Sequence, residues 1–301
     1  MNKFVKRCLI AGIILVAAGG AMAAAAASYG ANIWDIAPGE VIHWKNNTFS
    51  NFSFDDMDFE NHAVETGDYS YLDLDEPAES GRQIYTTGTA NSLKAEIRAG
   101  RVFIKEDPAV SELTIYCNKE DGNWHIGESN GELELTVGGG IMTDDTDLVM
   151  IICVPKGYSF SEVDLEVSRK KGMLKREGAT PIVACRSLSA DDMNLEVKAG
   201  ALTVKQGNVN HLNIECSVGA VEYTGTTTGD INGDCRVGAV KLLLSGKKED
   251  YNYKVQSSLG AIKIADEQMS AVAGGDNWDY SADKNMDLDC STGAIDVNFY
   301  Q

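Results

Sequence analysis

Four histidines, seven cysteines and forty-five carboxylates are the groups in this 301-residue chain that could act as bases, nucleophiles or metal ligands. His43, His62, His125 and His211 are scattered, without the H-E-x-x-H spacing that puts two imidazoles on one helix face around zinc. No two cysteines stand as C-x-x-C, so the thiolate pairs of a zinc or dithiol redox site are missing. Gly127-Glu128-Ser129-Asn130-Gly131 spells G-x-S-x-G, but strand alternation and no helix pattern follows it, so there is no nucleophile elbow, and there is no phosphate-binding glycine loop. Gly138-Gly139-Gly140 reads as a turn, because no helix-forming pattern follows it. Asp55-Asp56-Met57-Asp58 and Glu60 offer the hard oxygens that calcium takes, but the central glycine of an EF-hand loop is lacking. Asp144-Asp145-Thr146-Asp147 reads as an exposed turn.

What the acids do is recur. Glu196, Glu215 and Asp234 occupy one position of a repeat, and Asn194, Asn213 and Asn232 stand two residues before each. The amides could form a ladder along stacked strands. Like charges one strand apart repel, and Lys198 and Arg236, two residues further on, are near enough to compensate. Such rows suit a solvated sheet face, or a track for a cation or a polymer. Acids in a row without a focal cluster do not make the groove of a polysaccharide-cleaving enzyme. No catalytic residue, cofactor or metal ligand is therefore expected, and the chain reads as non-enzymatic.

The repeat that positions these rows runs from Met193 to Leu244, and its glycines Gly200, Gly219 and Gly238 are nineteen residues apart. Looser copies centre on Gly100, Gly260 and Gly293, and alanine follows the glycine in five of the six copies. Counting from each glycine, apolar residues fall at −7, −5, −3 and −1, then at +2 and +4. Alternation with period two marks a strand with one face buried. The step from −1 to +2 breaks that parity, so the chain must turn a corner there, and glycine tolerates the angles a corner requires. The six glycines are thus predicted as structural corners. Each unit becomes a strand, a corner, a second strand and a return turn such as Gln206-Gly207-Asn208. Units this short cannot each bury a face, so they stack. The expected fold is all-β, a β-solenoid of repeats of about 19–22 residues over 91–301.

Residues 1–27 form a separate object. Lys3, Lys6 and Arg7 precede an uncharged stretch from Cys8 to Ala27 that is about long enough to cross a bilayer. No Lys or Arg follows until Lys45, which puts the amino end in the cytoplasm and the remainder outside. The expectation is one N-terminal transmembrane helix at the cell membrane. The alternative is a signal peptide cut after Ala21-Met22-Ala23, which would leave a secreted domain. Residues 28–90, acidic and aromatic, carry no repeat and read as a juxtamembrane stalk and cap. The net charge of −19 argues against nucleic acid and anionic lipid as partners.

Further along, Leu93, Ala95 and Ile97 open the first recognisable unit, and strands are expected at Leu113–Cys117 and Leu133–Val137. Leu148–Val154 is apolar throughout, which suits a strand covered on both faces. Charged Arg169 and Lys171 make the Gly172 unit irregular. Asp266–Lys284 reads as an inserted loop whose Trp278 and Tyr280 fold back or form a sticky tip. Cys216, Cys235 and Cys290 share position −3 with Ile97 and Val197, as small buried hydrophobes do. They read as buried free thiols, although an even number of exported cysteines also fits disulfides.

Several of these phrases resemble the bacterial putative-adhesin family, exported β-strand-repeat proteins of unknown function. They are 92–105, the Pro155-Lys156-Gly157-Tyr158-Ser159-Phe160 turn with 163–167, 190–204, Asp250-Tyr251-Asn252-Tyr253 and 290–299. The resemblance implies a surface-exposed, membrane-anchored β-solenoid that contacts an unknown surface ligand, a glycan, a wall polymer or a protein. It also leaves open a regulatory component that senses envelope stress together with membrane partners.

Overall fold

Period-two alternation becomes strand throughout residues 81–119, 122–138, 148–168, 181–258, 261–265, 267–270 and 274–301, which the computed structural model describes. The expected membrane segment 1–27, residues 28–80, Asp144–Asp147, the Gly172 unit and the Gly260 corner lie outside them. All the described residues belong to one unit, Leu72–Gln301. In chain order the strands begin with β1 (Arg82–Thr87), β2 (Ser92–Ile97), β3 (Arg101–Asp107), β4 (Leu113–Cys117), β5 (Trp124–Ser129) and β6 (Glu132–Val137). Then come β7 (Val149–Pro155), β8 (Ser159–Val167), β9 (Ile182–Arg186), β10 (Ser189–Val197), β11 (Gly200–Thr227) and β12 (Ile231–Ser245). The last are β13 (Tyr251–Ser257), β14 (Ala261–Ile264), β15 (Glu267–Ser270), β16 (Gly274–Trp278), β17 (Lys284–Cys290) and β18 (Ala294–Tyr300). Only a 3₁₀ turn at Lys248–Asp250 interrupts them, so the described chain is all-β. None of its helices is long and apolar enough to cross a membrane.

Pairing is mostly parallel and in register. One ladder runs β6, β2, β8, β10, the 212–218 part of β11, the first half of β12, β17 and β13. A second runs β7, β3, β9, the 201–205 part of β11, and, from 218–225 of that strand, the second half of β12, β18 and β14. The three tight copies follow one another in chain order. At both ends the order reverses. β2 stands between β6 and β8, and β17 stands between β12 and the earlier strand β13. Antiparallel strands finish the edges: β5 on β6, β1 and β7 on β4, β15 on β14 and β16 on β13. Within the expected 266–284 loop, Glu267–Ser270 and Gly274–Trp278 are therefore paired strands. Trp278 packs on the core and Tyr280 meets Tyr253 edge-on, ring centroids 6.1 Å apart.

The register aligns like with like. Leu93, Val163, Met193, Leu212, Ile231 and Met286 form one buried row, and Ile97, Val167, Val197, Cys216, Cys235 and Cys290 another. On the second ladder Val102, Val183, Leu202, Val221, Val240 and Ile295 repeat the arrangement. β7 is buried on both faces over Met150–Val154, as its unbroken apolar run predicts. One expectation from the repeat is corrected. Position −1 does not face the core in the Gly219 and Gly238 copies, where Val218 is 36% exposed and Val237 52%, although Ala99 before Gly100 is buried. In these copies parity is broken one residue earlier than the apolar pattern indicates; after the glycine, Ala201 and Ala220 are buried and Ala239 half-buried.

Candidate functional site

The corner glycines set the edge of the site. Gly100 has φ +77°, and Gly200, Gly219 and Gly238 have φ +149°, +140° and +152°, where a side chain strains the backbone. Gly219 lies in register with Gly238. A Cβ at Gly219 would collide with the carbonyl oxygen of Gly200, and one at Gly238 with that of Gly219. Gly293 has no positive φ, but its Cβ would press on the Gly238 oxygen and the Cys235 sulfur. These residues carry no reactive group. Their contribution is to let successive corners approach closely, so that the side chains on either flank stack in rows.

The outward side of the first ladder is the most regular such surface. Asp164, Asn194, Asn213, Asn232 and Asp287 form one row, and Glu96, Glu166, Glu196, Glu215, Asp234 and Asp289 the row beside it. Neighbours in each row are one strand spacing, about 4.8 Å, apart. The amides do form a ladder: Asn213 Nδ2 donates to Asn194 Oδ1 at 2.9 Å, and Asn232 Nδ2 to Asn213 Oδ1 at 2.8 Å. Asn194 Nδ2 in turn donates to Glu162 Oε1 at 3.3 Å. Each amide keeps its carbonyl toward one neighbour and its N–H toward the other, so the ladder has a direction.

The acidic row is compensated from the corner. Lys198 Nζ lies 2.8 Å from Glu166 Oε1 and 3.2 Å from Glu196 Oε2, bridging two strands. Arg236 does the same for Glu215 at 3.1 Å and Asp234 at 3.8 Å. Arg98 grips Glu96 with two nitrogens, both at 2.5 Å. The hydrogen bond it donates to Glu166 holds the Lys198 ammonium above its ordinary pKa, and the bond to Glu96 does so for Arg98. Lys254 Nζ meets Asp287 Oδ2 at 2.6 Å. Asp164 and Asp289 have no ion-pair partner among the described residues. Together the two rows enclose an open trough of about 550 Å³ over backbone at Leu195, Ile214 and Gly233.

Chemically the trough offers repeated hydrogen-bond donors and acceptors and negative charge. It brings no nucleophile beside a base. Of the four histidines, His125 and His211 are in the described residues and neither lines it. The tight repeat locates Asn194, Asn213, Asn232, Glu196, Glu215 and Asp234 in the sequence. It misses Asp287 and Asp289 as row members, although they stand six and four residues before Gly293, as those residues do before their own glycines. The reversed strand order places them against Asn232 and Asp234. Asp164 has no such glycine and could not have been found from spacing.

The fold and this surface define an all-β protein of stacked, in-register strand repeats with a polar trough on one outward face. No protein-family model matches the chain, and no curated protein does. Among solved structures it is similar to a putative cell adhesion protein from Clostridium sporogenes, at 12% identity over 73% of this chain and 100% of that one, TM-score 0.42. It is similar also to putative adhesins from Bacteroides fragilis (14% identity, 73% of this chain, 98% of that one, TM-score 0.31) and Parabacteroides distasonis (12%, 72% and 95%, TM-score 0.26). These bacterial proteins carry the family name that the sequence resemblance points to.

Proposed function

We propose that the chain is a non-enzymatic, adhesin-like interaction protein of the cell surface, in which the strand repeats form a β-solenoid held outside the membrane by the N-terminal segment. The in-register parallel ladders support the solenoid reading, since each repeat buries its apolar rows against its neighbours. The basic cluster before the uncharged 8–27 stretch supports the anchored orientation.

The observation that carries the functional reading is the repetition of the trough. A ligand contacted there meets the same amide and carboxylate every strand spacing. That geometry favours a polymer with its own short repeat, a glycan or wall polymer, over a single small molecule. Contacts that are weak singly add along such a rod, as linked sites do. The test is a binding screen of the full chain against glycans and isolated cell-wall polymers, repeated with Asn194, Asn213 and Asn232 all changed to alanine. Retention on a polymer, lost by at least tenfold in the triple variant, is the expected result. No retention on any polymer, or retention unchanged by the triple variant, overturns the assignment of the trough.

A further inference from the structure

Cys216, Cys235 and Cys290 stand side by side in one row. They are exact register partners across β11, β12 and β17, fully buried, and present as free thiols. Neighbouring strands are about 4.8 Å apart, inside the Cα separations of about 4.4–6.8 Å that a disulfide spans. The row is bounded by Val197 and Ser257 at the same register position. By contrast, Cys117 pairs with Met150 and Arg82, Cys153 with Lys105 and Thr114, and Cys185 with Ile104 and Val204. These three have no cysteine neighbour in register.

We propose that the 216–235–290 row is an oxidation site holding one disulfide shared among three sulfurs, with Cys235 as the common member. The oxidant is a small-molecule disulfide. Two thiols of the row lose two protons and two electrons and form one S–S bond, and the oxidant takes them up as two thiols. Cys235 can bond Cys216 or Cys290 but not both. The remaining thiol then stands in line with the bond, because register partners on three consecutive parallel strands lie on one line across the sheet. Attack along that line is the geometry of thiol–disulfide exchange. Cys290 displaces Cys216 from Cys235, or the reverse: the attacking sulfur gives up its proton as the new S–S bond forms, and the leaving sulfur takes a proton up and ends as a thiol. Burial means that oxidation occurs when the corner beside exposed Val237 opens, or while β17 inserts between β12 and β13.

The test treats the full chain with oxidised glutathione in two arms, once folded and once during refolding from denaturant. Acid quenching, alkylation in denaturant and digestion at acidic residues follow, since Glu222 lies between Cys216 and Cys235. Peptide mass mapping should find 216–235 and 235–290 links, with Cys117, Cys153 and Cys185 alkylated. Cys235→Val should abolish both links. Cys216→Val should retain 235–290, and Cys290→Val should retain 216–235, valine being the residue already tolerated at 197. Full alkylation of all three sulfurs in both arms overturns the proposal. So does a 216–290 link that persists in Cys235→Val.

Discussion

The two ladders are built from one strand–corner–strand unit, yet their outward faces are opposites. On the first, the outward rows are amides and carboxylates open to solvent and met by cations at the corner. On the second, outward positions of β3, β7, β9 and β11 are largely buried: Phe103, Ile151, Cys153 and Ala184 cluster there, Thr203 is 4% exposed, and Lys205 at 2% pairs with Glu222. The alternation that makes both ladders strands is the same. A charge at an outward position is a hydrated group on one side and a desolvated one on the other, and its energetic meaning changes accordingly. Surface ion pairs are worth roughly 0–1 kcal/mol, whereas removing one partner of a buried pair strands the other at about 3–5 kcal/mol.

The largest predicted effect tests that contrast directly. Glu222→Ala should destabilise the chain by about 3–5 kcal/mol in urea unfolding, because it removes the carboxylate that the buried Lys205 meets. Lys205→Met with Glu222→Leu should recover most of the loss, since apolar residues of similar volume replace such pairs at little penalty. Glu215→Ala on the first ladder should fall below about 1 kcal/mol. Equal losses at Glu222 and Glu215 would break the comparison.

Next in size are the corners joining the two ladders. Gly219→Val or Gly238→Val forces a β-branched residue to φ near +140° or +152° and drives Cβ into the preceding carbonyl. A loss of roughly 1–3 kcal/mol is expected from the backbone conformation. Hydrogen exchange on Gly219→Val should show protection lost first around Gly200 and Gly238 and last around Gly100, if neighbours share most contacts. Uniform loss from Leu93 to Phe299 would mean that the ladders unfold as one cooperative body.

Much of this organisation was legible in the sequence. The corners, the three tight copies, the inward rows at −7, −5, −3, +2 and +4, the amide ladder and its compensating Lys198 and Arg236 all follow from period two and a nineteen-residue spacing. Three things were not. Val218 and Val237 are apolar, so periodicity alone assigned them to the core, but the corner begins before the glycine and turns them outward. Strand order at both ends departs from chain order, because a parallel register is satisfied equally well by any unit carrying the same rows. Hence β17 can occupy the place beside β12 that β13 would take in sequence. Lys205 and Glu222 are seventeen residues apart, off the repeat, and no local pattern marks a charged pair as buried.

A smaller effect is expected at the thiol row, which belongs to neither outward face. In the reduced protein, Cys216→Val together with Cys235→Val should destabilise by less than about 1.5 kcal/mol, the range for size-conserving core swaps. Both residues are fully buried and free, and Val197 fills the same register position one strand away. A loss of several kcal/mol under reducing conditions would show that the sulfurs do more than fill space there.

The smallest effect sharpens what holds the first ladder's outer face. Asn213 donates to Asn194 and accepts from Asn232, and it is only half-buried. Water replaces a lost partner on such a surface, so Asn213→Ser should stay within about 1 kcal/mol, a single net hydrogen bond. The acidic row beside it offers a discriminating control. Glu215→Gln removes a charge facing Arg236, and its small effect should shrink further as salt screens exposed pairs. Asn213 is neutral, so its effect should be nearly the same at low and high salt. A salt-dependent Asn213→Ser would mean that the amides act by spacing the carboxylates apart rather than by bonding one another. The trough would then be an electrostatic surface with an amide filler, and the polymer-binding test should be repeated with the acidic row altered in place of the asparagines.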